Sequence, residues 1–489
     1  MESSSSSDDP ATAPPRNNGL RGRVPKDTIS FGNYLSERRE ARLRADAERI
    51  APTHALPQPP VEEAPVPLEQ PRPVRRFRTL EPLTHRNFSL FWSGALVSNI
   101  GTWLQNVALS WLVLDITNSA FWVSMVTFCQ FIPTLLFGLF GGLLADRADR
   151  RRVLLVTQSL AMAFAAALAI VTWTGHARVE TLLPIIGLSG VAMAFNAPSF
   201  QALIPDLIPS RLILDAVSLN STQWSLARVV GPAIGGLILA AWGAGWAFAI
   251  NALSFIAVIA ALLMIRTKRH DPPTSTGARA LFGGVRSARQ TPVIATLLGV
   301  TAIVSLFGAP VLALLSVMAK KVLGLGAGGY GGLFALFSVG AVVGALSTST
   351  VVRRLGMRTT MAICLSALAI LIFGFGLSRN LLASCILLMG IGAVYTMSVS
   401  ATNTGLQTSI PASKRGRIMS LYMMAWGGLY PIGALVAGII AKHVGTPATL
   451  RMLTPPLAVA AIGLALFGRG LDAVAPPRRA RVAAASHPV

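Results

Sequence analysis

The stretch of sequence that decides the fold lies at residues 141–154 and reads GGLLADRADRRRVL. It separates two apolar segments, residues 121–145 and 153–175. Each segment is long enough to cross a bilayer, because a hydrocarbon core about 30 Å thick needs about 20 helical residues. The connection between them, Asp146 to Arg152, holds two acids and four arginines. A turn this short and this charged favours a structural clasp between two helices over a free loop.

The composition of the whole chain also indicates a membrane protein. Of its 489 residues, 53% are hydrophobic and only 13% are charged, whereas soluble domains carry about 25% charged residues. The apolar segments are too long and too rich in Leu, Ala and Gly for barrel strands. We therefore predict an all-α integral membrane protein with twelve transmembrane helices. The predicted spans are residues 88–115, 121–145, 153–175, 181–205, 216–242, 246–266, 293–317, 328–351, 359–377, 381–404, 418–441 and 447–467.

The formal net charge of +22 has a topological explanation. Most lysines and arginines lie just before the first span, in the even-numbered loops and in the C-terminal tail, whereas the odd-numbered loops hold few, among them Arg178, Lys320 and Lys321. This bias places both termini and the even-numbered loops in the cytoplasm. The basic composition therefore predicts no nucleic-acid partner.

The sequence divides into two similar halves. The longest internal connection separates six spans from six, and Gln201-Ala-Leu-Ile-Pro205 in the first half is echoed by Gln407-Thr-Ser-Ile-Pro411 in the second. The charged turn has a fainter echo at residues 353–358, which lacks the acid. A serine- and proline-rich start predicts a disordered tail, favoured over a docking element. The predicted organisation is a cytoplasmic tail at 1–85, a six-helix bundle at 86–266, a cytoplasmic linker at 267–291, a second bundle at 292–468 and a basic tail at 469–489.

The charged turn resembles the signature loop between the second and third spans of major facilitator superfamily transporters. An aspartate stands at a position that is usually glycine, and we expect left-handed backbone there because Asp tolerates positive φ better than most residues. The resemblance implies two six-helix bundles around a site near the middle of the membrane. The predicted gating loop comprises Gly142, Asp146, Arg147, Asp149, Arg150 and Arg151.

The fifth span carries a second motif, Gly231-Pro232-Ala-Ile-Gly235-Gly236. Proline removes a helical hydrogen-bond donor and kinks the helix, while the glycines let a neighbouring helix approach closely. The cluster resembles the Gly-Pro-x-x-Gly-Gly motif of antiporter-type members of the same superfamily, which implies export. The alternative interpretation is a packing kink with no bearing on the direction of transport.

Arg228 is the only formal charge near the centre of a predicted span. A charge there costs about 3 kcal/mol or more and normally faces a cavity or a partner. It could bind an anionic substrate, form a gate ion pair, or pair with backbone carbonyls freed at Pro232. Other polar and aromatic side chains follow helical stripes that either hold helices together or line a pathway. The substrate-binding candidates are Asn99, Trp103, Asn106, Asn220, Gln223, Arg228, Tyr395, Tyr422, Trp426 and Tyr430.

The sequence offers no pattern for catalysis, a metal or a cofactor. Cys129, Cys364 and Cys385 lie inside spans without metal-ligand spacing, and the glycine-rich segment 324–332 lacks the Gly-Lys-Ser/Thr ending of a nucleotide-binding loop. A polytopic membrane enzyme would need acids or histidines clustered at one membrane face, and none are visible. We therefore expect no enzyme activity, and an ion gradient as the energy source.

Several further segments together resemble the enterobactin-exporter branch of the superfamily, over about residues 86–470. This resemblance implies proton-coupled export of a siderophore or drug-like amphipathic solute across a bacterial inner membrane by alternating access, and we expect a monomer. An uptake transporter of the same fold and, further away, a non-transporting membrane scaffold remain as alternatives. The segments are Asn87-Phe-x-Leu-Phe91, Ser98-Asn-Ile-Gly-Thr-Trp-Leu-Gln105, Trp111-Leu-Val, Thr117-Asn-Ser119, the charged turn, and Arg228-Val-Val-Gly-Pro-Ala-Ile-Gly-Gly236.

Overall fold

The computed structural model of the protein describes residues 40, 42, 78–265, 291–410 and 412–473. The predicted linker, nearly all of the N-terminal tail and most of the C-terminal tail lie outside these residues. The side chain of Asp146 also lies outside the described part. Between residues 78 and 473 the described chain is helical throughout, without strands, and eleven helices are long and apolar enough to cross a membrane.

Six helices make up the first half of the bundle, after a short 3-10 helix at Arg78–Thr84. The first of them is 32 residues long but does not reach the apolarity of the eleven candidate spans. The other five match predicted spans to within a few residues. The six helices are α1 (Arg86–Thr117), α2 (Ala120–Arg147), α3 (Arg150–Trp173), α4 (Val179–Leu203), α5 (Ile213–Trp242) and α6 (Ala244–Met264).

The second half repeats the plan with two irregular helices. In α7 the amide of Ala309 donates to the carbonyl of Val304 at 2.9 Å, a π-helical turn placed just before Pro310, which has no amide hydrogen to donate. Two further π-helical turns follow, Met318–Val322 at the end of α7 and Met424–Gly428 in the middle of α11. The helices are α7 (Pro292–Val322), α8 (Ala327–Leu355), α9 (Met357–Leu377), α10 (Leu381–Ser409), α11 (Ala412–Met423 and Leu429–Val444 around the π turn) and α12 (Thr446–Met452 and Thr454–Phe467).

The helix ends gather on two faces of the bundle. One face, which we call the basic face, contains the start of α1, the α2–α3 and α8–α9 connections and the ends of α6 and α12, and it carries most of the arginines. On the opposite face, Trp173 at the end of α3 packs edge to face against Trp246 at the start of α6, with ring centroids 5.3 Å apart. Both indoles are about half exposed, as is typical of aromatic residues at a membrane boundary.

The same helix pairs pack together in each half. In the first half α2 packs on α4, and α3 packs on α4 and α6; in the second half α8 packs on α10, and α9 packs on α10 and α12. Between the halves, α5 packs on α8 and α2 on α11. This correspondence matches the internal repeat in the sequence. The α5–α8 and α2–α11 contacts between the halves are the largest, and smaller ones join α1 to α7 and α8.

Buried and exposed apolar residues are distributed as expected in lipid. One buried apolar cluster runs through both halves, whereas a second, with Phe88 and Leu154 among its members, is built from the first half alone. Large apolar side chains also point outward, including Leu214, Leu346 and Phe467, which are 84%, 76% and 83% exposed. Such an exposed apolar surface is unfavourable in water and is satisfied by lipid.

The folded chain begins before the predicted boundary at residue 85. The 3-10 helix Arg78–Thr84 contributes Leu83 to the apolar cluster at the start of α1, and Glu81 forms an ion pair of 2.9 Å with Arg211. Likewise Gly468–Ala473 forms a short 3-10 helix beyond α12. Both corrections arise because short flanking segments cover apolar helix ends, which a hydropathy profile does not register.

Candidate functional site

Arg228 lies at the middle of α5, between the two halves. Its guanidinium carbon is 5.6 Å from the ring centre of Trp103 on α1 and 5.2 Å from that of Phe337 on α8. The buried Nε of Arg228 has no hydrogen-bond acceptor, and the side chain forms no ion pair with a described residue. The faces of these two rings therefore lie next to a charge that no described acid pairs with.

The glycines of the α5 motif bring α1 and α8 close to α5. A Cβ atom on Gly231 would lie 2.8 Å from the carbonyl oxygen of Ile100, on the turn of α1 that carries Trp103. On the other side, a Cβ on Gly331 of α8 would lie 2.6 Å from the Cα of Gly236 and 2.6 Å from the carbonyl oxygen of Pro232. Real Cβ atoms do not make such short contacts, so only glycine fits at these crossings.

The motif thus acts in this conformation mainly by close packing. Gly235 also faces α1, where an added Cβ would lie 3.0 Å from the Cα of Leu104. α5 runs as one helix from Ile213 to Trp242 through Pro232. The predicted helix kink stays a prediction, whereas the predicted close approach of neighbouring helices is visible.

A group of aromatic rings in mutual contact lies at the guanidinium, which is next to two of them, and we call Trp103, Phe334, Phe337 and Tyr395 the aromatic cage. Ring centroids are 5.8 Å apart for Trp103 and Phe334, 6.3 Å for Phe334 and Phe337, and 6.2 Å for Phe337 and Tyr395. Tyr395 and Tyr430 are the titratable side chains that interact electrostatically with Arg228. Sequence reasoning selected Trp103 and Tyr395 but missed the two phenylalanines, which look like ordinary apolar residues of α8.

Buried polar atoms without a partner occur at several places in the described chain, and two of them lie on neighbouring side chains at this cage. The indole Nε1 of Trp103 is buried without an acceptor, as is the Nε of Arg228. Gln223, five residues before Arg228 on α5, is fully buried, and neither its amide oxygen nor its amide nitrogen has a partner. Buried polar groups are normally hydrogen-bonded, so a cluster of exceptions marks a place where a missing group would bind.

The remaining substrate-binding candidates divide between packing roles and open positions. Asn106 accepts a hydrogen bond of 2.9 Å from Gln130 and so ties α1 to α2. Asn99 and Asn220 are partly buried, without a hydrogen bond to a described residue. In this conformation Asn106 therefore links two helices, whereas the side chains of Asn99 and Asn220 are available to contact a solute.

The three aromatic residues predicted as a stripe on α11 have different further neighbours. Tyr422 is buried and donates to the carbonyl of Val399 within the second half, Trp426 is 41% exposed, and Tyr430 packs edge to face against Phe131 of α2. All three nevertheless interact with Tyr395 of the cage. Their role in binding a solute stays a prediction.

A contact between the halves lies on the opposite face, and sequence reasoning did not find it. Lys320 at the end of α7 forms an ion pair with Asp115 at the end of α1, and its ammonium lies 5.6 Å from the ring centre of Trp111. Trp111 stacks in turn on Tyr330 of α8 at 5.9 Å. We call these four residues the latch. Charges at span ends were visible in the sequence, but only the fold brings residues 205 positions apart together.

The α2–α11 contact also lies toward the opposite face. The ammonium of Lys442 near the end of α11 is 5.9 Å from the ring centre of Phe121 at the start of α2. Nearer the middle of the bundle, Gly438 of α11 faces the side chain of Ser124 of α2, and a Cβ atom added to Gly438 would clash with that side chain. Next to the latch, Lys321 donates to the carbonyl of Asn118 at 2.7 Å. Contacts of α1 with α7 and α8 and of α2 with α11 therefore join the halves on this side.

The charged turn on the basic face ties helices together within the first half. Arg150 forms an ion pair of 2.8 Å with Asp206 and donates to the carbonyl of Ala202 at 3.0 Å. Arg151 donates to the carbonyls of Leu262 and Leu263 at the end of α6, at 2.5 and 2.9 Å. The loop therefore joins the start of α3 to the ends of α4 and α6, as a clasp should.

The expectation of left-handed backbone at Asp149 is wrong. Its φ is −62° and its ψ is 107°, and its carboxylate accepts from the backbone amides of Arg151 and Arg152 at 3.0 and 3.3 Å. Asp149 is thus the N-cap of α3, a role for which aspartate is among the preferred residues and glycine a weaker one. Among described non-glycine residues, only Asn118 has positive φ.

The other loop residues and the echo of the turn complete the basic face. Gly142 lies within α2 with open space where a side chain would point, and Arg147 is exposed at the end of α2. In the second half Arg358 donates to the carbonyls of Leu464 and Ala465 at the end of α12. The echo therefore repeats the contact that Arg151 makes with α6, although it lacks the acid.

The chain matches the model of a known family over residues 77–474, and that family is described as transmembrane secretion effector. It is 26% identical to the staphyloferrin A transporter of Staphylococcus aureus over 375 residues, which cover 74% of this chain and 91% of that protein. It is also 26% identical to the multidrug efflux pump Tap of Mycolicibacterium fortuitum over 384 residues, with the same coverage of 74% and 91%.

A solved bacterial homologue of the human lysosomal transporter Spinster, in an inward-facing conformation, shares the fold. The TM-score is 0.61 at 14% identity, over 79% of this chain and 98% of that one. Among the described residues no group of three or more His, Cys, Asp or Glu side chains could hold a metal ion. The resemblance found in the sequence is confirmed: the chain belongs to the transmembrane secretion effector family of the major facilitator superfamily, and it is a multi-pass membrane transporter of small molecules rather than an enzyme.

Proposed function

We propose that this transporter exports a small amphipathic solute by alternating access, and that the solute binds at Arg228 and the aromatic cage. The observation that carries the proposal is a buried, acceptor-free cation between the halves, below a latch that closes the opposite face. A charge inside a membrane bundle is costly and is retained where it meets a cargo or an ion. A relative named as a multidrug efflux pump, beside one named as a staphyloferrin A transporter, favours export over uptake.

The topology we propose has twelve spans, with the basic face and both termini in the cytoplasm. α1 supplies the twelfth span, because it runs from Trp92, which donates to the α5 carbonyl of Leu219 near the basic face, to Asp115 on the opposite face. The excess of arginines on the basic face supports its cytoplasmic location. The latch then closes the outer side, and the conformation is inward-facing, ready to receive a solute from the cytoplasm.

The halves that move in this cycle are the two six-helix bundles predicted at 86–266 and 292–468. The contacts of Arg151 and Arg358 support this division, since each joins helices of the same bundle. Opening to the outside requires the latch to break and the basic ends of the bundles to approach each other. We propose that the gating loop, with Asp146, stabilises the state in which those ends meet. One chain supplies every part of the site, so the transporter works as a monomer.

Transport in inverted membrane vesicles tests the direction. An exporter accumulates naphthylacetate or another amphipathic aromatic probe inside inverted vesicles and not inside right-side-out vesicles. The reverse result would assign the uptake alternative. Empty vesicles supply the background, and a chain lacking residues 1–74 should transport like the full chain. The scaffold alternative gains support if the full chain transports in neither vesicle type and the truncation abolishes the cellular function of the protein.

We also propose that a proton gradient drives export. No nucleotide-binding pattern occurs in the sequence, so a gradient must supply the energy, and the branch that the sequence resembles is proton-coupled. A proton gradient that makes the interior of inverted vesicles acidic should accelerate accumulation of the probe, and a protonophore should abolish this acceleration. Accumulation that follows a sodium gradient, and is unchanged by the protonophore, would contradict proton coupling while leaving export intact.

A further inference from the structure

We propose that the solute carries a carboxylate attached to an aromatic or apolar body, and that Arg228 and the indole N–H of Trp103 bind that carboxylate. The inference rests on the proposed function only in taking the cage as the solute site. It goes further by fixing the charge of the solute, and it separates this transporter from pumps for cationic drugs.

The first argument is the sign of the unsatisfied groups. Two atoms on neighbouring side chains are buried here without a hydrogen-bond partner. They are Nε of Arg228 and Nε1 of Trp103, and both are donors. The guanidinium carbon is 5.6 Å from the indole ring centre, so the two side chains that carry these donors are direct neighbours between the halves. A single carboxylate is an acceptor at two oxygens and can receive both bonds. Arginine and carboxylate form the strong, charge-assisted kind of hydrogen bond.

The second argument is that the protein provides no competing anion. The ion pairs of the described acids lie at helix ends, as in Asp115 with Lys320 and Asp206 with Arg150. No described acid forms an ion pair with Arg228. A buried charge without an opposite charge is costly, so a ligand that supplies the charge gains the energy of completing the pair.

The third argument concerns the rest of the solute. The rings of Trp103 and Phe337 lie beside the guanidinium, and Phe334 packs against both of these rings. Such surfaces bind aromatic or aliphatic groups by burial and stacking. A cationic solute would meet the uncompensated charge of Arg228 at the same place and would be repelled. The chemistry therefore favours an acidic amphiphile over a neutral or cationic one.

Binding to the purified full-length protein in lipid nanodiscs tests the inference. The probes are naphthylacetate, naphthylethanol and naphthylethylamine, which share an aromatic body and differ in charge. Isothermal titration calorimetry measures each Kd. We expect naphthylacetate to bind at least tenfold more tightly than the other two. Binding of the amine as tightly as the acid, or no binding of the acid, would overturn the proposal without using any variant.

Variants then assign the preference to residues. Arg228→Gln should abolish the preference for the acid, Arg228→Lys should retain part of it, and Trp103→Phe should weaken acid binding severalfold while leaving naphthylethanol unchanged. Arg379→Gln is the matched control, because it removes one positive charge from an exposed loop position on the opposite face. If Arg228→Gln weakens all three probes equally, Arg228 is a structural residue and the proposal fails. Binding without vesicle transport would instead contradict export and leave this inference standing.

Discussion

Breaking the latch should shift the transporter toward its outward-open conformation. Asp115→Asn removes an ion pair whose partners keep 45% and 34% of their side-chain surface exposed, and such a pair contributes about 0.2–1 kcal/mol. Lys320→Met also removes the contact with Trp111, a cation–π interaction that adds about 0.5–1 kcal/mol at a partly exposed site. The expected change in the conformational equilibrium is about 1.4- to 5-fold for the first variant and about 3- to 30-fold for the second.

Double electron–electron resonance can measure this shift. Spin labels on cysteines at His176 and Arg379 report the distance between exposed loops of the two halves on the opposite face, in a chain whose three native cysteines are replaced by serine. We expect a growing population at longer distance from wild type through Asp115→Asn to Lys320→Met. Salt should reduce the first effect strongly, because an exposed ion pair is screened over about 8 Å at physiological ionic strength.

A charge swap and a neutral control make the test decisive. Asp115→Lys combined with Lys320→Asp should restore part of the short-distance population that each single change removes. Glu180→Gln removes an exposed acid on the same face that forms no ion pair with a described residue, and it should leave the distances unchanged. The reasoning is refuted if neither latch variant alters the distance distribution, or if Glu180→Gln alters it as much as Asp115→Asn.

Four further predictions address other parts of the molecule. Asp149→Ala should lower the free energy of unfolding by about 1 kcal/mol through loss of the N-cap, whereas Asp149→Asn should be nearly neutral, as thermal unfolding in detergent will show. Arg358→Gln should cost about 1.5–3 kcal/mol in the same assay, because charged hydrogen bonds to the end of α12 are lost. Gly331→Leu should separate α5 from α8, lengthen the distance between spin labels and stop transport in a protein that still folds. Asp146→Asn should reduce vesicle transport at unchanged protein level, and unchanged transport would remove Asp146 from the gate.

The positions of the membrane helices could be read from the sequence because lipid imposes a simple requirement. A backbone without water must form its own hydrogen bonds over the full thickness of the bilayer, so apolar segments of the right length mark the spans. The fifth predicted span, 216–242, became Ile213–Trp242, and the ninth, 359–377, became Met357–Leu377. The π-helical turns could not be foreseen, since Pro310 removes one donor but does not specify which carbonyl the preceding amides choose.

The centre of the site was predictable and its surroundings were not. Arg228 stood out because a charge inside an apolar segment is rare and costly. Its neighbours Phe334 and Phe337 lie more than a hundred residues further along the chain and follow the ordinary apolar pattern of α8. The latch presented the same difficulty, because Asp115 and Lys320 are unremarkable at span ends until the fold pairs them. Local chemistry is visible in a sequence, but contacts between halves require the packing.

The latch and the solute site are connected by a continuous series of packed rings. From the latch, Trp111 stacks on Tyr330, which packs against Phe334 at 6.4 Å, and Phe334 contacts Trp103 of the cage. Each ring pair joins α1 to α8 or lies within α8, so separating the halves at the latch must also move the walls around Arg228. Spatial continuity alone does not establish coupling, which requires an element with two arrangements that both sites bias. We predict that the α1–α8 contact is such an element, because opening the opposite face would separate the rings that form it. Such coupling is reciprocal. If a bound solute changes the equilibrium constant for opening the latch by some factor, then opening the latch changes the affinity for the solute by the same factor.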